Sequence, residues 1–235
     1  MLVKKESNIR LQKFLAQRGI ASRRSSANII QEGEVTVNGE VILEPGFHIN
    51  PEKDVICING KKISSEIEKR RTIILYKPRG YICSTSDKNG RTVYELIKGI
   101  SERVVPVGRL DKESEGLLLM SNDGDLILKL THPRYGHKKT YEVTVSGLVD
   151  EKILKKLQSA MVIDDYTIRP VNVQVLEKNK SETVLLFVLE EGRNRQIRKM
   201  CEQTGLTVTK LIRTKIGDLT LAGLKPGEWR DYHVV

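Results

Sequence analysis

An aspartate on a short polar loop is the first candidate for chemistry in this 235-residue sequence. Asp111 lies between two apolar segments, residues 104–107 and 117–120, each of which predicts a β-strand. A carboxylate on a loop between two rigid strands has a defined position, which suits a catalytic group. Loop aspartates are also common as turn formers and helix caps, and composition alone does not choose between these roles.

Other familiar catalytic motifs are absent from the sequence. There is no phosphate-binding G-x-x-x-x-G-K-[ST], no G-x-G-x-x-G after a strand, no H-E-x-x-H and no G-x-S-x-G. Cys57, Cys83 and Cys201 are widely separated and have no histidine at zinc-ligand spacing. An odd and sparse set of cysteines is typical of a reducing compartment. We therefore predict no cofactor, no metal site and a cytoplasmic protein.

The balance of charge favours a polyanionic partner. Lys and Arg number 40 against 30 Asp and Glu, which gives a formal net charge of +10. Basic residues concentrate in two segments, residues 1–30 and 192–215. A single charged segment is usually a solvated surface, but two in one basic chain favour a groove for nucleic acid. An acidic membrane surface is the alternative, and the sequence offers neither an apolar span nor an amphipathic helix with an aromatic face.

The first 63 residues predict a separate small module of two helices followed by two hairpins. Apolar residues at helical spacing predict the first helix, over residues 11–18. Ser22 is a predicted N-cap of the second helix. The dipeptides Asn38-Gly39 and Asn59-Gly60 lie between alternating apolar residues, and each predicts a tight hairpin.

This order of elements resembles the S4 RNA-binding module, and the resemblance covers residues 8–63. Two of its arginines fall in the first turn of the second helix, where the helix dipole disfavours cations. A bound phosphate would offset that cost, although exposed arginines pay only tenths of a kcal/mol there. The residues expected to contact RNA phosphates in this module are Arg10, Lys13, Arg23 and Arg24.

The rest of the chain predicts a linker and a larger domain. Residues 64–71 are polar and without periodicity, which is typical of a linker. Residues 72–235 predict an α+β domain with a mixed, mainly antiparallel sheet flanked by helices, because helices and strands do not alternate regularly. Strands are predicted over 73–76, 104–107, 117–120, 141–145 and 183–189, and helices over 92–97, 150–157 and 195–204.

The segment 108–119 gives the larger domain a resemblance to a known family. Gly108-Arg109-Leu110-Asp111, followed by Ser114-x-Gly116-Leu117-Leu118-Leu119, resembles the signature of pseudouridine synthases. The match is nearest to the branch that modifies ribosomal RNA and carries an N-terminal S4 module, with enzymes of large-subunit (23S-type) rRNA favoured over those of small-subunit (16S-type) rRNA. Further blocks agree in order: Lys77-Pro78-Arg79-Gly80, Ser121-Asn122-Asp123-Gly124, Leu130-Thr131-His132-Pro133, Lys139-Thr140-Tyr141 and Glu191 through Met200.

The resemblance implies the isomerisation of uridine to pseudouridine within RNA. The bond between N1 and C1′ breaks, the uracil turns, and C5 bonds to C1′. Neither a redox change nor a group transfer to another molecule occurs, which agrees with the missing cofactor motifs. Because a base inside a helix hides its glycosidic bond, the target uridine must be turned out of the stack.

The resemblance also implies roles for three catalytic residues. Asp111 is the catalytic aspartate, which either attacks the sugar carbon or promotes an elimination at that centre. Arg198 is its basic partner, expected beside a buried carboxylate and on the same helix face as Asn194. Tyr141 is expected to stack on the target uracil and to handle the proton at C5.

Further basic residues are expected to contact the RNA rather than to react. Arg109 is predicted to fill the gap left by the flipped base, or else to form a salt bridge with Glu113 or Asp123. The other predicted RNA-binding residues, for which an exposed face in water is the alternative, are Arg193, Asn194, Arg195 and Lys199. Sequence-independent phosphate contacts of this kind weaken steeply with salt.

The predicted partner is ribosomal RNA or a ribosome-assembly intermediate, and the predicted protein is a monomer that does not bind membranes. The competing hypothesis is a non-catalytic RNA-binding ribosome-assembly factor on the same scaffold. Such a factor has no need to retain Asp111, Tyr141 and Arg198 together, which favours the enzyme.

Overall fold

The computed structural model describes residues 8–64, 69–88 and 90–233. The chain divides into two compact units, one that comprises the residues before Arg71 together with Ser101–Arg103 and one that comprises the others. We refer to them as the N-terminal unit and the larger unit. Positions 65–68 of the predicted linker, and Lys4 and Lys5 of the first basic segment, lie outside the described residues. The limits of the predicted linker therefore stay a prediction.

The N-terminal unit contains the two predicted helices and both predicted hairpins. The elements are β1 (Ile9–Arg10), α1 (Leu11–Gln17), α2 (Arg23–Gln31), β2 (Val35–Val37), β3 (Glu40–Val41), β4 (His48–Ile49), β5 (Ile56–Ile58) and β6 (Lys61–Lys62). Strand β1 pairs with β4, and the strands β3, β2, β5 and β6 form an antiparallel sheet in that order.

Local chemistry accounts for the ends of these elements. Ser22 caps α2, since its side chain accepts a hydrogen bond of 3.0 Å from the backbone N–H of Ser25. Asn38 and Gly39 have φ values of 53° and 90°, the left-handed conformation that a tight hairpin turn requires. Phe14 and Ile30 bring the two helices onto the buried core of the unit.

The larger unit is built on a mixed sheet of nine strands within the described residues. The strands are β7 (Thr72–Lys77), β8 (Val105–Val107), β9 (Glu115–Ser121), β10 (Lys139–Ser146), β13 (Asn172–Lys178), β14 (Glu182–Leu189), β15 (Thr207–Ile216), β16 (Leu219–Thr220) and β17 (Trp229–Asp231). The path through the sheet is β13-β14-β10-β15-β9-β7-β17, with β16 beside β15 and β8 beside β9. Only the pairing of β9 with β15 is parallel among these described strands.

A separate hairpin and three α-helices complete the larger unit. The elements are α3 (Gly124–Thr131), α4 (Glu151–Gln158), the hairpin strands β11 (Val162–Ile163) and β12 (Tyr166–Thr167), and α5 (Gln196–Glu202). The predicted α+β class with a mainly antiparallel sheet is confirmed. Among the described residues, no helix has the length and hydropathy needed to span a membrane.

Several elements differ from the sequence predictions. The helix expected over 92–97 is a 3₁₀ turn, Val93–Leu96, closed by a capping box between Thr92 and Glu95. Helix α3, which was not predicted, begins because the Asp123 side chain accepts hydrogen bonds from the backbone N–H groups of two following residues. Strands β13 and β15 were also not predicted, and β15 has no regular alternation of apolar and polar residues.

The two central strands β7 and β9 are buried on both faces. Ile73 and Leu75 pack into one apolar cluster, whereas Ile74 packs into another on the opposite side of the sheet. Leu118 and Leu119 divide between the same two clusters. Burial on both faces explains why these segments read as continuous apolar runs. It also makes them a rigid base for the loop that follows β8 and precedes β9.

Candidate active site

A cleft of about 620 Å³ in the larger unit brings together residues that are far apart in sequence. Its lining includes Asp111 from the loop between β8 and β9, Tyr141 from β10, and Arg198 from α5. All three predicted catalytic residues therefore face one cavity. Among residues 8–64, 69–88 and 90–233, no group of three or more His, Cys, Asp or Glu side chains is placed to hold a metal ion.

The carboxylate of Asp111 faces a different arginine from the one that the sequence predicted. Its Oδ2 lies 3.7 Å from a guanidinium nitrogen of Arg195, and the Asp111 side chain is 39% exposed. The expectation of a buried carboxylate was therefore wrong. Arg195 is also not on the helix face: it is the N-cap residue of α5, with a left-handed backbone (φ 51°). Asn194 precedes the helix, so it does not share a helix face with Arg198 as expected.

Arg198 contacts the backbone of the Asp111 loop instead of the carboxylate. Its guanidinium donates to the carbonyl of Glu113 at 3.1 Å and to that of Val208 at 3.4 Å. Burial lowers the pKa of Arg198, the positive charge of Arg195 lowers it further, and Asp111 opposes both effects. An arginine remains charged under such conditions. Arg198 thus acts on the aspartate through the chain that carries it.

Lys77, at the end of β7, is the most deeply buried cation of the site. Its side chain is fully buried, and its ammonium donates to the carbonyls of Pro78 (3.1 Å), Asp111 (3.0 Å) and Ser114 (2.6 Å). Burial lowers the pKa of Lys77 to about 8, although nearby acidic groups oppose the shift. Three carbonyl oxygens use all three donors of the ammonium, so the protonated lysine ties β7 to the Asp111 loop.

Arg213, on β15, holds the two ends of the same loop. It is 3% exposed, and it donates to the carbonyls of Leu117 at 2.8 Å and Arg109 at 3.4 Å. The close approach of β15 to β9 depends on Gly116, which pairs with Arg213. A Cβ atom at Gly116 would lie 2.4 Å from the backbone oxygen of Arg213, and the φ of 106° is also unfavourable for other residues.

Lys77, Arg198 and Arg213 together form what we call the carbonyl clamp. These three side chains donate to five backbone carbonyls of the loop and its ends, those of Arg109, Asp111, Glu113, Ser114 and Leu117. The loop is therefore fixed through its backbone, and the carboxylate oxygens of Asp111 are not consumed in holding it. This arrangement orients a carboxylate and leaves it available to a substrate.

Tyr141 lies near the start of β10, opposite Phe187 of β14 and Arg213 of β15. Its ring is half-buried and packs against the core cluster that includes Phe187, and it also lines the cleft. Lys139, two residues earlier, lines the same cleft, and burial lowers its pKa, with a further lowering by Arg213. The packing gives Tyr141 a fixed place in the wall of the cavity.

Arg109 is exposed beside the catalytic loop and makes neither of the salt bridges that the sequence offered as an alternative. Glu113 pairs instead with Arg79 at 3.0 Å, and Asp123 caps α3. The Arg109 side chain lines the cleft, and its role in filling a gap in RNA stays a prediction.

The predicted RNA-binding residues differ in their surroundings. In the N-terminal unit Arg10, Arg23 and Arg24 are exposed and Lys13 is half-buried, and none of the four forms an ion pair among the described residues. In the larger unit Lys199 pairs with Asp164, and the guanidinium of Arg193 lies 3.0 Å from the centre of the Tyr166 ring. The RNA contacts of all these residues stay predictions.

Sequence reasoning did not assign roles to Lys77 or Tyr166. It counted Arg213 within the basic segment 192–215 that was expected to contact phosphates, whereas the structure buries Arg213 against backbone carbonyls. Lys77 carried a usable signal, because a lysine that ends an apolar strand is a candidate buried cation. Arg213 offered no such signal, since it lies in a polar stretch with other basic residues. Tyr166 belongs to a hairpin that the sequence reading did not identify.

Comparison with protein-family models gives two matches. The model described as RNA pseudouridylate synthase matches residues 71–203. The model of the S4 domain matches residues 9–56. The first match contains the Asp111 loop, Tyr141 and Arg198, and the second contains the basic residues of α1 and α2.

Two curated proteins and one solved structure are similar over most of the chain. Ribosomal large subunit pseudouridine synthase B of Bacillus subtilis (strain 168) is 40% identical over 225 residues, which cover 94% of this chain and 91% of that protein. A dual-specificity RNA pseudouridine synthase of Escherichia coli (strain K12) is 36% identical over 227 residues, covering 96% and 76%. A crystal structure of a pseudouridylate synthase superposes with a TM-score of 0.68, at 28% identity and 96% coverage of both chains.

Proposed function

The chain belongs to the RNA pseudouridylate synthase family, in the branch that also carries an S4 domain, and from this premise we propose that it converts a uridine of large-subunit ribosomal RNA into pseudouridine with Asp111 as the catalytic carboxylate. The enzyme is a pseudouridine synthase that acts on RNA. The choice of RNA and the roles of individual residues are the proposal.

The observation that carries the proposal is the convergence of Asp111, Tyr141 and Arg198 on one cleft. They come from a loop, a strand and a helix that are well separated along the chain, and each was expected at the site from the family signature. A reaction at the glycosidic bond of uridine needs a carboxylate on one side of the sugar carbon and a surface for the released base. The cleft provides both.

The carbonyl clamp supports the role of Asp111. Catalysis by a carboxylate at C1′ requires that the oxygen be held at a defined position relative to the sugar. Lys77 and Arg198 hold the peptide units that follow the aspartate, and Arg213 holds the carbonyl of Arg109 before it. Arg195 faces the carboxylate across 3.7 Å. Arg195 and Arg198 bring positive charge close to Asp111, and we expect this charge to contact a phosphate of the bound nucleotide.

Tyr141 and Arg109 are proposed to act on the base and on the RNA around it. The packed ring of Tyr141 offers a flat surface on which the uracil stacks while it turns from N1 to C5 attachment. When C5 bonds to C1′, the proton on C5 leaves and N1 gains a proton, so the reaction is balanced within the nucleotide. Arg109, exposed at the same cleft, is proposed to fill the gap from which the uridine has been turned out.

The proposal of large-subunit rRNA as the substrate is based on the similar proteins and on the N-terminal unit. The Bacillus subtilis relative is named for the large ribosomal subunit and is 40% identical, with nearly complete coverage. The Escherichia coli relative is named as dual-specificity, so relatives with different specificities exist within the branch. Exposed basic residues in α1 and α2 of the N-terminal unit are suited to phosphate contacts that do not depend on sequence.

The experiment is a map of pseudouridines in the ribosomal RNA of cells that have, lack or carry a variant of this protein. We expect one or more large-subunit pseudouridines to disappear on deletion, to return with the wild-type chain, and to stay absent with Asp111→Asn. Loss of a catalytic carboxylate is expected to lower the single-turnover rate by about a thousandfold or more. RNA affinity should change little, because the amide has nearly the same size.

Asp218→Asn is the matched control, since Asp218 is exposed in the turn between β15 and β16 and does not line the cleft. It should restore the modification fully. An unchanged pseudouridine map in the deletion strain would contradict rRNA as the substrate. Full turnover by Asp111→Asn would contradict the assignment of the catalytic residue. If Asp111→Asn supports normal ribosome assembly while the modification stays absent, the protein has a binding role in assembly that is separate from its chemistry.

A further inference from the structure

Tyr166 is an aromatic side chain at the cleft that the proposed chemistry does not use. It lies in the hairpin β11–β12, is 37% exposed, and lines the same cavity as Asp111. A large aromatic side chain that stays exposed at the wall of a cavity is a candidate for ligand contact.

The ring of Tyr166 is supported by a cation. The guanidinium of Arg193 lies 3.0 Å from the ring centre, and the backbone N–H of Arg193 donates to Gln196 Oε1 at 3.1 Å. Gln196 is buried at the start of α5, so Arg193 is held by the helix as well. A cation on one face of an aromatic ring leaves the other face for a flat partner. The geometry is that of a stacking platform.

The hairpin that carries Tyr166 is fixed in place before any ligand arrives. Asp164 pairs with Lys199 of α5, and Gln203 donates to the carbonyl of Val162 at 2.8 Å. Ile163, opposite Tyr166 in the hairpin, is 2% exposed within the main core cluster. A fixed platform binds without the entropic cost of ordering a loop.

Carboxylates as well as cations lie near Tyr166. The tip of the hairpin is Asp164-Asp165, of which Asp164 is paired with Lys199 and Asp165 is exposed. Glu191 also lines the cleft, where it accepts a hydrogen bond from the backbone of Arg169. A carboxylate such as that of Glu191 accepts hydrogen bonds from the amino groups of adenine, cytosine and guanine, and the ring of Tyr166 offers such a base a flat surface.

We propose that Tyr166, supported by Arg193, stacks on an unpaired base of the RNA close to the target uridine. The identity of the target rests on the proposed function, whereas the stacking itself requires only that the cleft binds RNA. Single-stranded bases stack readily on aromatic side chains, and base choice then follows from nearby hydrogen-bonding groups. Tyr166 is thus expected to contribute to selection of the RNA site and not to bond making.

The experiment uses the full chain and total RNA from cells that lack the protein. Ultraviolet irradiation of the complex, followed by mass spectrometry, identifies nucleotides that are covalently linked to tyrosine, and a pseudouridine map of the same RNA identifies the modified position. We expect a crosslink between Tyr166 and a nucleotide near the modified uridine but different from it. The crosslink should be absent in Tyr166→Leu.

The affinity for the crosslinked RNA segment distinguishes stacking by the aromatic ring from the simple filling of space by an apolar side chain. Tyr166→Leu keeps apolar volume without an aromatic face and is expected to weaken binding by about 5- to 100-fold. Tyr166→Phe should bind within about twofold of wild type, since the ring is retained. Leu176→Ala, an exposed residue of β13 that does not line the cleft, serves as the control and should bind normally. Thermal unfolding of each variant checks that the fold is intact.

Each outcome decides a separate claim. Wild-type binding by Tyr166→Leu, or a crosslink from Tyr166 to the modified uridine itself, would overturn the stacking role and leave the proposed function standing. A Tyr166 crosslink to RNA in which no ribosomal pseudouridine forms would refute the proposed function and retain the stacking role. Loss of binding equally in Tyr166→Phe and Tyr166→Leu would also count against stacking.

Discussion

Two cations of the carbonyl clamp in the larger unit and two arginines of α2 in the N-terminal unit have opposite surroundings. Lys77 and Arg213 are almost wholly buried, and their donors are directed at backbone carbonyls of the Asp111 loop. Arg23 and Arg24, in the first turn of α2, are exposed to solvent. Composition alone counts all four as equal contributions to a net charge of +10.

The difference teaches that burial decides what a cation does. A buried ammonium or guanidinium must satisfy its donors, so it fixes the groups that surround it. An exposed one keeps its water and counterions until a phosphate displaces them, so it supplies affinity that depends on salt. We therefore expect changes in the carbonyl clamp to affect geometry and catalysis, and changes in α2 to affect binding alone.

The largest expected effect comes from forcing the clamp apart. In Gly116→Ala the new methyl group would lie 2.4 Å from the backbone oxygen of Arg213, so β15 and β9 must separate. This clash and the strain of a positive φ are together expected to lower the free energy of unfolding by about 2–5 kcal/mol, which urea denaturation measures.

Gly147→Ala is the control for this prediction. Gly147 has a similar φ of 92°, but a Cβ atom there would meet nothing within 4 Å. Gly147→Ala should lower the free energy of unfolding only by the cost of a positive φ at alanine, about 1–2 kcal/mol. Equal losses of unfolding free energy in the two variants would show that the close approach of Arg213 to Gly116 does not matter for stability.

Removal of the lysine from the clamp is expected to lower catalysis with little effect on binding. Lys77→Met keeps a long side chain but leaves three carbonyls without their donor, so the loop that carries Asp111 gains freedom. We expect the single-turnover rate at saturating RNA to fall by about 100-fold, while the RNA dissociation constant changes by less than about threefold. Rapid-quench assays and filter binding measure the two quantities.

Lys112→Met is the matched control, because Lys112 is exposed on the same loop. It removes the same charge from the neighbourhood of Asp111 without touching the clamp. A similar fall in rate for both lysine variants would mean that charge near the loop matters and that the buried hydrogen bonds do not.

The opposite side of the comparison is tested by replacing both exposed arginines of α2. Arg23→Ala with Arg24→Ala is expected to weaken RNA binding by about tenfold and to reduce the salt slope by about 2. The rate at saturating RNA should stay at the wild-type value, since the catalytic loop is untouched. A loss of rate that excess RNA does not restore would break the distinction between the two kinds of cation.

The smallest expected effect is a divergence between activity and stability at alkaline pH. Lys77 has a pKa of about 8 in the folded protein against an ordinary value of 10.5, so above pH 8 its amine loses one of three donors and the loop loosens. Activity should fall severalfold between pH 7 and 9. Over pH 8 to 10.5 the unfolded chain binds more protons at this residue, so the contribution of Lys77 to stability rises with pH.

This prediction is measured as a difference between wild type and variants. Lys112→Met should keep the alkaline fall in activity, whereas Lys77→Met, already slow, should lose it. Stability of wild type should rise relative to Lys77→Met over the same range. Parallel pH profiles for wild type and Lys77→Met would assign the fall in activity to another group.

The sequence predicted the parts of the fold whose causes are local. Ser22 caps α2 through a residue three positions away, and the Asn38-Gly39 turn needs only its own backbone conformation. The apolar runs of β7 and β9 were equally legible, because burial on both faces leaves a continuous signal. Helix α3 was missed although Asp123 supplies its cap and its partly buried apolar residues pack against a core cluster.

The sequence by itself determined the chemical class of the site, since Asp111, Tyr141 and Arg198 were readable from the order and spacing of family motifs. Tertiary structure alone decided how the aspartate is held. Lys77 meets carbonyls 34 and 37 residues away, and Arg213 meets one 96 residues away. Arg195, the N-cap residue of α5 with a left-handed backbone, forms the ion pair with Asp111. Contacts between distant segments depend on the order of strands in the sheet, which no local pattern of residue types encodes.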